Sequence, residues 1–221
     1  MYIEIENLTK KLKGRKVLDN VNVSLEKGGI YGFVGVNGSG KTMLFRAVCG
    51  LMRPTEGCVR VDGKRITKDI SAPKNLGVII ENAGLWQNYS GMENLKLLTK
   101  YGKKISDDQI ADSIRRVGLD PKDKRPVRKY SLGMKQRIAL AQAIMEKPEL
   151  LVLDEPTSSL DESGVEAIRT LLLKEKERGA TILIASHNKE DIKSLCDKIY
   201  RMQEGKIVGE EDKSDFESAI E

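Results

Sequence analysis

The sequence is short of several kinds of residue, and each shortage narrows what the chain can be. It has three cysteines, Cys49, Cys58 and Cys196, scattered and odd in number. That excludes a disulfide framework or a cysteine-built zinc site and fits reduced thiols. No apolar run approaches the roughly 20 residues that a membrane-crossing helix needs. The opening Met1-Tyr2-Ile3-Glu4-Ile5-Glu6 alternates as a strand does and does not read as a signal peptide. Aromatic residues make up only 5% of the chain. A basic cluster at Lys122, Lys124, Arg125, Arg128 and Lys129 is accompanied by Tyr130 alone, so no base-stacking surface for nucleic acid is indicated. No internal repeat or low-complexity tract interrupts the 221 residues.

What is present suits a soluble globular chain, 39% hydrophobic and 32% charged. The net charge of +5 is uneven, because residues 209–221 hold six acids against one lysine and leave +10 on the remainder. The basic body reads first as a solvated surface, the alternatives being attraction to an anionic membrane or to nucleic acid. Strand patterns are expected near 2–6, 21–25, 30–35, 57–61, 76–80, 150–154, 180–185, 198–202 and 206–208. Helical patterns are expected near 41–50, 91–101, 107–117, 132–146, 161–177 and 189–195. The expected fold is α/β. Residues 1–87 and 148–208 form a core with a mostly parallel sheet and an antiparallel N-terminal β subdomain. Residues 88–147 form a helical insertion, and 209–221 an acidic C-terminal segment. In that segment Ser214-Asp215-Phe216-Glu217 fits a capping box, which predicts a short helix.

Residues 35–42 read Gly-Val-Asn-Gly-Ser-Gly-Lys-Thr and fit the phosphate-cradling pattern G-x-x-x-x-G-K-[ST]. The preceding run, Gly29 to Val34, reads as a buried strand and the following one, Met43 to Cys49, as a helix. Glycines 35, 38 and 40 let backbone N–H groups, those of Asn37 and Ser39 included, turn onto phosphate oxygens, and the helix start adds positive charge. Lys41 would reach the outer phosphates and Thr42 would ligate magnesium, with Met43 next in the helix. Asp154 and Glu155 close the apolar run Leu150-Leu151-Val152-Leu153, the pattern of a strand covered on both faces. A carboxylate at that strand end holds magnesium in P-loop proteins, and a second one can polarise an attacking water. His187, the only histidine, follows the apolar run 181–186. That is the strand edge where ligands collect in open α/β sheets. Ser131 opens the helix at 132–146, and a serine hydroxyl beside free helix-start amides is a second candidate phosphate site. Asp161 reads as the cap of the next helix.

Together these residues resemble the nucleotide-binding subunit of ATP-binding cassette (ABC) transporters over nearly the whole chain. Gly35 to Thr42 match the Walker A loop and Leu150 to Glu155 match Walker B, with Glu155 at the catalytic glutamate position. Ser131 and Gly133 match the LSGGQ signature, Ser159-Leu160-Asp161 the D-loop, and His187 the switch histidine. The resemblance implies ATP and magnesium as ligands. It implies a homodimer in which ATP held at Lys41 of one copy is closed over by Ser131 and Gly133 of the other. It also implies separately encoded transmembrane subunits, a cytoplasmic location on the inner face of the membrane, and no nucleic acid.

Three positions depart from the family pattern. The signature reads Tyr-Ser-Leu-Gly-Met. The usual Q-loop glutamine is replaced by Glu81, expected to sense magnesium. The adenine-stacking aromatic aligns with Leu12, which predicts looser base discrimination. Glu81, Ser-Leu-Gly-Met-Lys-Gln-Arg and Glu93-Asn94-Leu95 resemble the exporter ATPases linked to bacitracin and lantibiotic resistance. The alternative is a soluble ABC ATPase acting on DNA or ribosomes. Against it, the Glu81-to-Ser131 interval is too short for the long coiled coil of the DNA-repair members, and the chain carries one cassette. Residues Asn82 to Tyr89, Trp86 included, are a candidate surface for the membrane partner, the rival reading being that Trp86 fills the subdomain core.

Overall fold

The structure, a computed structural model, describes residues 1–81, 84–100 and 105–213. Two sheets organise it. Strands β1 (Ile3–Leu12), β2 (Arg15–Leu25), β4 (Glu56–Val61) and β5 (Lys64–Arg65) form an antiparallel sheet in the order β2-β1-β4-β5. The second sheet runs β10-β9-β3-β8-β7-β6. Its members are β3 (Ile30–Val34), β6 (Leu76–Ile79), β7 (Leu150–Asp154), β8 (Thr181–Ala185), β9 (Lys198–Gln203) and β10 (Lys206–Asp212). All of its pairings are parallel except β9 with β10. The expected α/β fold with an antiparallel N-terminal sheet is the one observed.

Residue period explains why the second sheet sits in the middle. Leu151 and Leu153 of β7, with Ile182 and Ile184 of β8, enter one core together with Ile138, Leu140 and Ile144. The alternate residues Leu150, Val152, Leu183 and Ala185 enter the other core, with Phe33, Phe45 and the antiparallel sheet's Ile3, Ile5 and Leu8. A strand whose two faces are both buried must be apolar throughout, which is what the run at 150–153 encodes. Phe33 anchors the second core, edge-on to Phe45 at 5.4 Å and stacked on Tyr200 at 5.2 Å.

The helices are α1 (Lys41–Val48), α2 (Gly91–Leu98), α3 (Asp107–Arg116), α4 (Leu132–Ile144), α5 (Glu162–Glu177) and α6 (Lys189–Leu195). Five of them start on a side-chain cap: Ser90 and Ser106 in capping boxes, then Ser131, Asp161 and Asn188. Helix α1 differs, since its cap is Gly40 and no side chain accepts from its first amides. Asn94, fully buried, holds the preceding loop: its amide donates to the carbonyls of Trp86, Tyr89 and Ser90, and its oxygen accepts from Trp86 N at 2.7 Å.

Three expectations are adjusted. The hairpin β1–β2 is longer than the two separate strands expected, because Lys13 and Gly14 both take left-handed backbone and turn the chain tightly. The strand expected at 206–208 runs on to Asp212. Its acids are held by the adjacent strand: Glu210 pairs with Lys198 at 2.9 Å and Glu211 with Arg201. Trp86 is 44% exposed, so it does not fill a core. The capping box at 214–217 and Asn82 lie outside the described residues. Among the described residues no helix is long and apolar enough to cross a membrane, and all three cysteines are free and buried.

Candidate functional site

The loop from β3 to α1 wraps one side of a cleft of about 410 Å³, lined by residues 37–43, Val17, Glu81, Gln136, Asp154, Glu155, Ser158 and His187. Glycine is needed where the loop is crowded. A Cβ on Gly35 would lie 2.2 Å from the Met202 carbonyl oxygen, and one on Gly40, at φ 107°, 3.0 Å from that of Val17. At Gly38 a Cβ would meet nothing within 4 Å, so the loop's open side faces the cleft. Lys41 folds back over this loop, donating from Nζ to the carbonyls of Gly35 at 2.6 Å and Val36 at 3.3 Å. Burial pulls its pKa down, against the opposing pull of Glu155 and Asp154.

The opposite wall comes from the carboxyl ends of β7 and β8. Thr42 Oγ1 donates to Asp154 Oδ2 at 2.6 Å, which brings the two expected magnesium ligands together. Among the described residues no group of three or more His, Cys, Asp or Glu could hold a metal unaided. Magnesium ordinarily takes one or two protein ligands and completes its shell with phosphates and water, so a Thr–Asp pair beside a phosphate loop fits it.

Glu155 turns off β7 in a left-handed conformation, φ 52°. Its N–H donates to the Ala185 carbonyl at 2.8 Å, and its own carbonyl accepts from Gln136 Nε2 at 3.1 Å and Ser158 Oγ at 2.8 Å. The carboxylate is thereby aimed at His187, whose backbone N–H lies 3.3 Å from Oε2 and whose Nε2 lies 3.4 Å from Oε1. That second contact lacks hydrogen-bond geometry, and Oε1 is buried without a donor. Burial, with Asp154 adding to it, raises the Glu155 pKa, while His187 and Lys41 act the other way. An acceptor oxygen with no partner, aimed into a phosphate cleft, has the capacity to bind a water molecule and orient it.

Behind this wall lies a polar cluster. Asp191, with no exposed surface, accepts from Arg169 Nε at 2.7 Å, from the Thr157 hydroxyl, and from Ser186 Oγ at 3.4 Å. It thus ties the residue two beyond Glu155 to the residue just before His187.

Ser131 and Gly133 lie elsewhere, in a concavity lined by residues 131–134, Arg137 and 159–161, with no lining residue in common with the first cleft. Ser131 caps α4 by accepting from Met134 N at 3.1 Å, which leaves its hydroxyl proton to donate outward. Gly133 faces the D-loop candidate, since a Cβ there would sit 2.9 Å from the Ser159 carbonyl oxygen.

Two expected residues sit differently from the rest. Leu12, at the far end of β1 and 43% exposed, does not line the cleft, whereas Val17 on the returning strand does. Glu81 lines it, but its Oε1 is paired with Arg46 Nη2 at 2.8 Å. Val17, Ser158 and Asp191 carried no motif of their own. Gln136 had a signal, since it lies in the Ser131-to-Arg137 run quoted for the exporter resemblance, but no role was read for it.

A family model described as "ABC transporter" matches residues 18–158. The chain is 55% identical over 205 residues to the Bacillus subtilis (strain 168) protein named "Uncharacterized ABC transporter ATP-binding protein YybJ", covering 93% of this chain and 94% of that one. It is 41% identical to the bacitracin transport ATP-binding protein BcrA of Enterococcus faecalis, covering 94% of this chain and 68% of that one. It is 37% identical to the lantibiotic transport ATP-binding protein SrtF of Streptococcus pyogenes, covering 95% and 90%. Among solved structures it is similar to a dimeric bacterial ABC transporter cassette, MJ0796, with a TM-score of 0.86 and 25% identity over 95% of this chain and 98% of that one. With a phosphate loop, an acid-ended core strand and these relatives, the chain belongs to the ABC transporter family, as a subunit that binds and hydrolyses ATP.

Proposed function

We propose that this subunit works as a magnesium-dependent homodimer, driving separately encoded transmembrane subunits on the inner face of the membrane. The observation that carries this reading is the separation of the two phosphate-competent sites, which share no lining residue. Neither site is complete within one chain. A second copy, packed head to tail, supplies Ser131 and Gly133 to an ATP whose phosphates lie along Gly35 to Thr42 of the first.

In this reading Lys41 exchanges its carbonyl partners for the outer phosphates, and the amides at the start of α1, uncapped by any side chain, receive phosphate oxygens. Thr42 and Asp154 would hold magnesium, with Glu81 close enough to sense it. The ion, when bound, offsets phosphate charge. Glu155 orients the water with Oε1, and His187 keeps that carboxylate aimed and contacts the outer phosphate. Closure of two copies over ATP favours one conformation of the attached membrane subunits, which is how binding energy becomes movement. Those subunits would dock beside Glu81, where Trp86 and Tyr89 are each 44% exposed. Similarity to BcrA and SrtF supports an exporter whose cargo is an antimicrobial peptide or a bacitracin-like antibiotic. Against the DNA-acting alternative, the helices α2 and α3 among the described residues between Glu81 and Ser131 span only 8 and 10 residues, too short for a long coiled coil.

The test is ATP-dependent association. Glu155→Gln, which slows hydrolysis, should elute as a dimer with ATP and as a monomer without it. Adding Ser131→Arg should abolish the dimer. A Glu155→Gln dimer indifferent to Ser131→Arg would sink the head-to-tail reading.

A further inference from the structure

The side chain of Gln136 stands where three parts of the molecule meet. It belongs to α4, one turn beyond Ser131 and Gly133. Its Nε2 donates to the backbone carbonyl of Glu155 at 3.1 Å. The same side chain lines both the nucleotide cleft, with Lys41 and His187, and a neighbouring groove, with Leu85, Leu132 and Lys135.

The peptide it holds is under strain. Glu155 keeps a left-handed backbone, which a side chain with a Cβ resists and which persists only where its surroundings over-determine it. Ala185, which accepts from the Glu155 N–H, and Ser158, which donates to the same carbonyl as Gln136, belong to the strand β8 and to the turn that follows Glu155 itself. Gln136 is the bond that reaches it from α4, the helix whose first residues form the second phosphate site. A 13-residue helix moves as one piece over its first turns, so a displacement of Ser131 is a displacement of Gln136. A further movement of roughly 0.5 Å takes this contact past hydrogen-bonding distance.

We infer that Gln136 is a positioning residue for Glu155, and that through it the start of α4 controls the carboxylate that orients water. One half-site of the chain, serving the partner's nucleotide, thereby sets the competence of the other half-site, serving its own. The inference rests on the proposed head-to-tail dimer and deepens it.

The experiment uses the full chain and two variants of similar length. Gln136→Met removes the donor, and Gln136→Lys restores one. Fluorescent-nucleotide titration gives ATP affinity, and phosphate release against ATP concentration gives kcat and the Hill coefficient. Gln136→Met should keep its affinity within about twofold and lose kcat about tenfold, the effect of one ordinary hydrogen bond lost from the transition state. Its Hill coefficient should fall towards one, and Gln136→Lys should recover most of both. A Gln136→Met chain with the parent's kcat and Hill coefficient overturns the inference. So does one in which affinity, kcat and melting temperature fall together, because that is a structural role. Ser131→Arg in the same assay separates the claims: if it abolishes turnover while Gln136→Met is unaffected, the dimer stands and the link through Gln136 is gone.

Discussion

Glu155 Oε1 and His187 Nε2 lie 3.4 Å apart, and no donor satisfies that buried oxygen. The arrangement trades stability for reactivity, since burial raises the Glu155 pKa and makes its charged form costly to hold where no protein donor offsets the charge on Oε1. Glu155→Gln should therefore do two things. Turnover should fall by about a hundredfold or more, the range lost with a group that positions or deprotonates an attacking water. The melting temperature should rise, because a neutral amide carries a smaller desolvation cost in the same place. Calorimetry beside a phosphate-release assay checks both, and a variant that melts lower with turnover intact contradicts the assignment.

The cluster around Asp191 gives the opposite balance. Here a fully buried carboxylate is satisfied by Arg169, Thr157 and Ser186. Asp191→Ala leaves Arg169, whose side chain is 15% exposed, without its buried partner. The expected loss is about 3 kcal/mol of folding free energy, at the lower end for a broken buried pair. Because Thr157 and Ser186 flank Glu155 and His187 in sequence, kcat should fall too. Denaturant unfolding and ATP turnover measure the two losses, and Arg169→Met with Asp191→Leu should recover stability without recovering kcat.

Much of this site was legible in the sequence because its groups sit at strand ends and helix starts, where pattern and chemistry coincide. The apolar run 150–153 located the sheet, and the acids after it located the cleft wall. Helical patterns located all five side-chain-capped helix starts to within a residue, and at Ser131 and Asp161 the cap itself was legible. Other features belong to tertiary approach. Nothing local says that Gln136 will reach the Glu155 carbonyl across 19 positions, or that Asp191 will face Thr157 across 34. The hairpin was underestimated because its tip, Lys11 to Lys16, is polar and alternates too weakly to read as strand. Leu12, placed by resemblance alone, lies before that tip and outside the cleft lining, whereas Val17 after it lines the cleft.

Val17 and Leu12 are separated by a direct test. Val17 lines the cleft, while Leu12 is exposed at the end of β1. A valine offers a purine a small apolar surface and no ring to stack on. ATP and GTP should accordingly bind the isolated chain within a few-fold of each other. Val17→Ala should weaken both by severalfold, and Leu12→Ala should change neither. A Leu12→Ala chain that loses ATP affinity while Val17→Ala keeps it would return the base contact to Leu12.

Arg46 and Glu81 supply the last prediction. Their pair joins α1 to the loop after β6 at 2.8 Å, with side chains 36% and 61% exposed. A pair so open to water contributes little to folding, so Arg46→Ala should shift stability by less than about 1 kcal/mol. Its effect should appear instead in magnesium dependence. If Glu81 senses the ion, Arg46 competes for the same carboxylate, and the two substitutions have opposite signs. Glu81→Gln should raise the magnesium concentration for half-maximal turnover, and Arg46→Ala should lower it. The double variant isolates the cause: in the Glu81→Gln background, Arg46→Ala has no carboxylate to release and should change nothing. Equal effects of Arg46→Ala in both backgrounds would mean that Arg46 acts on the nucleotide directly and that Glu81 is a structural partner rather than a sensor.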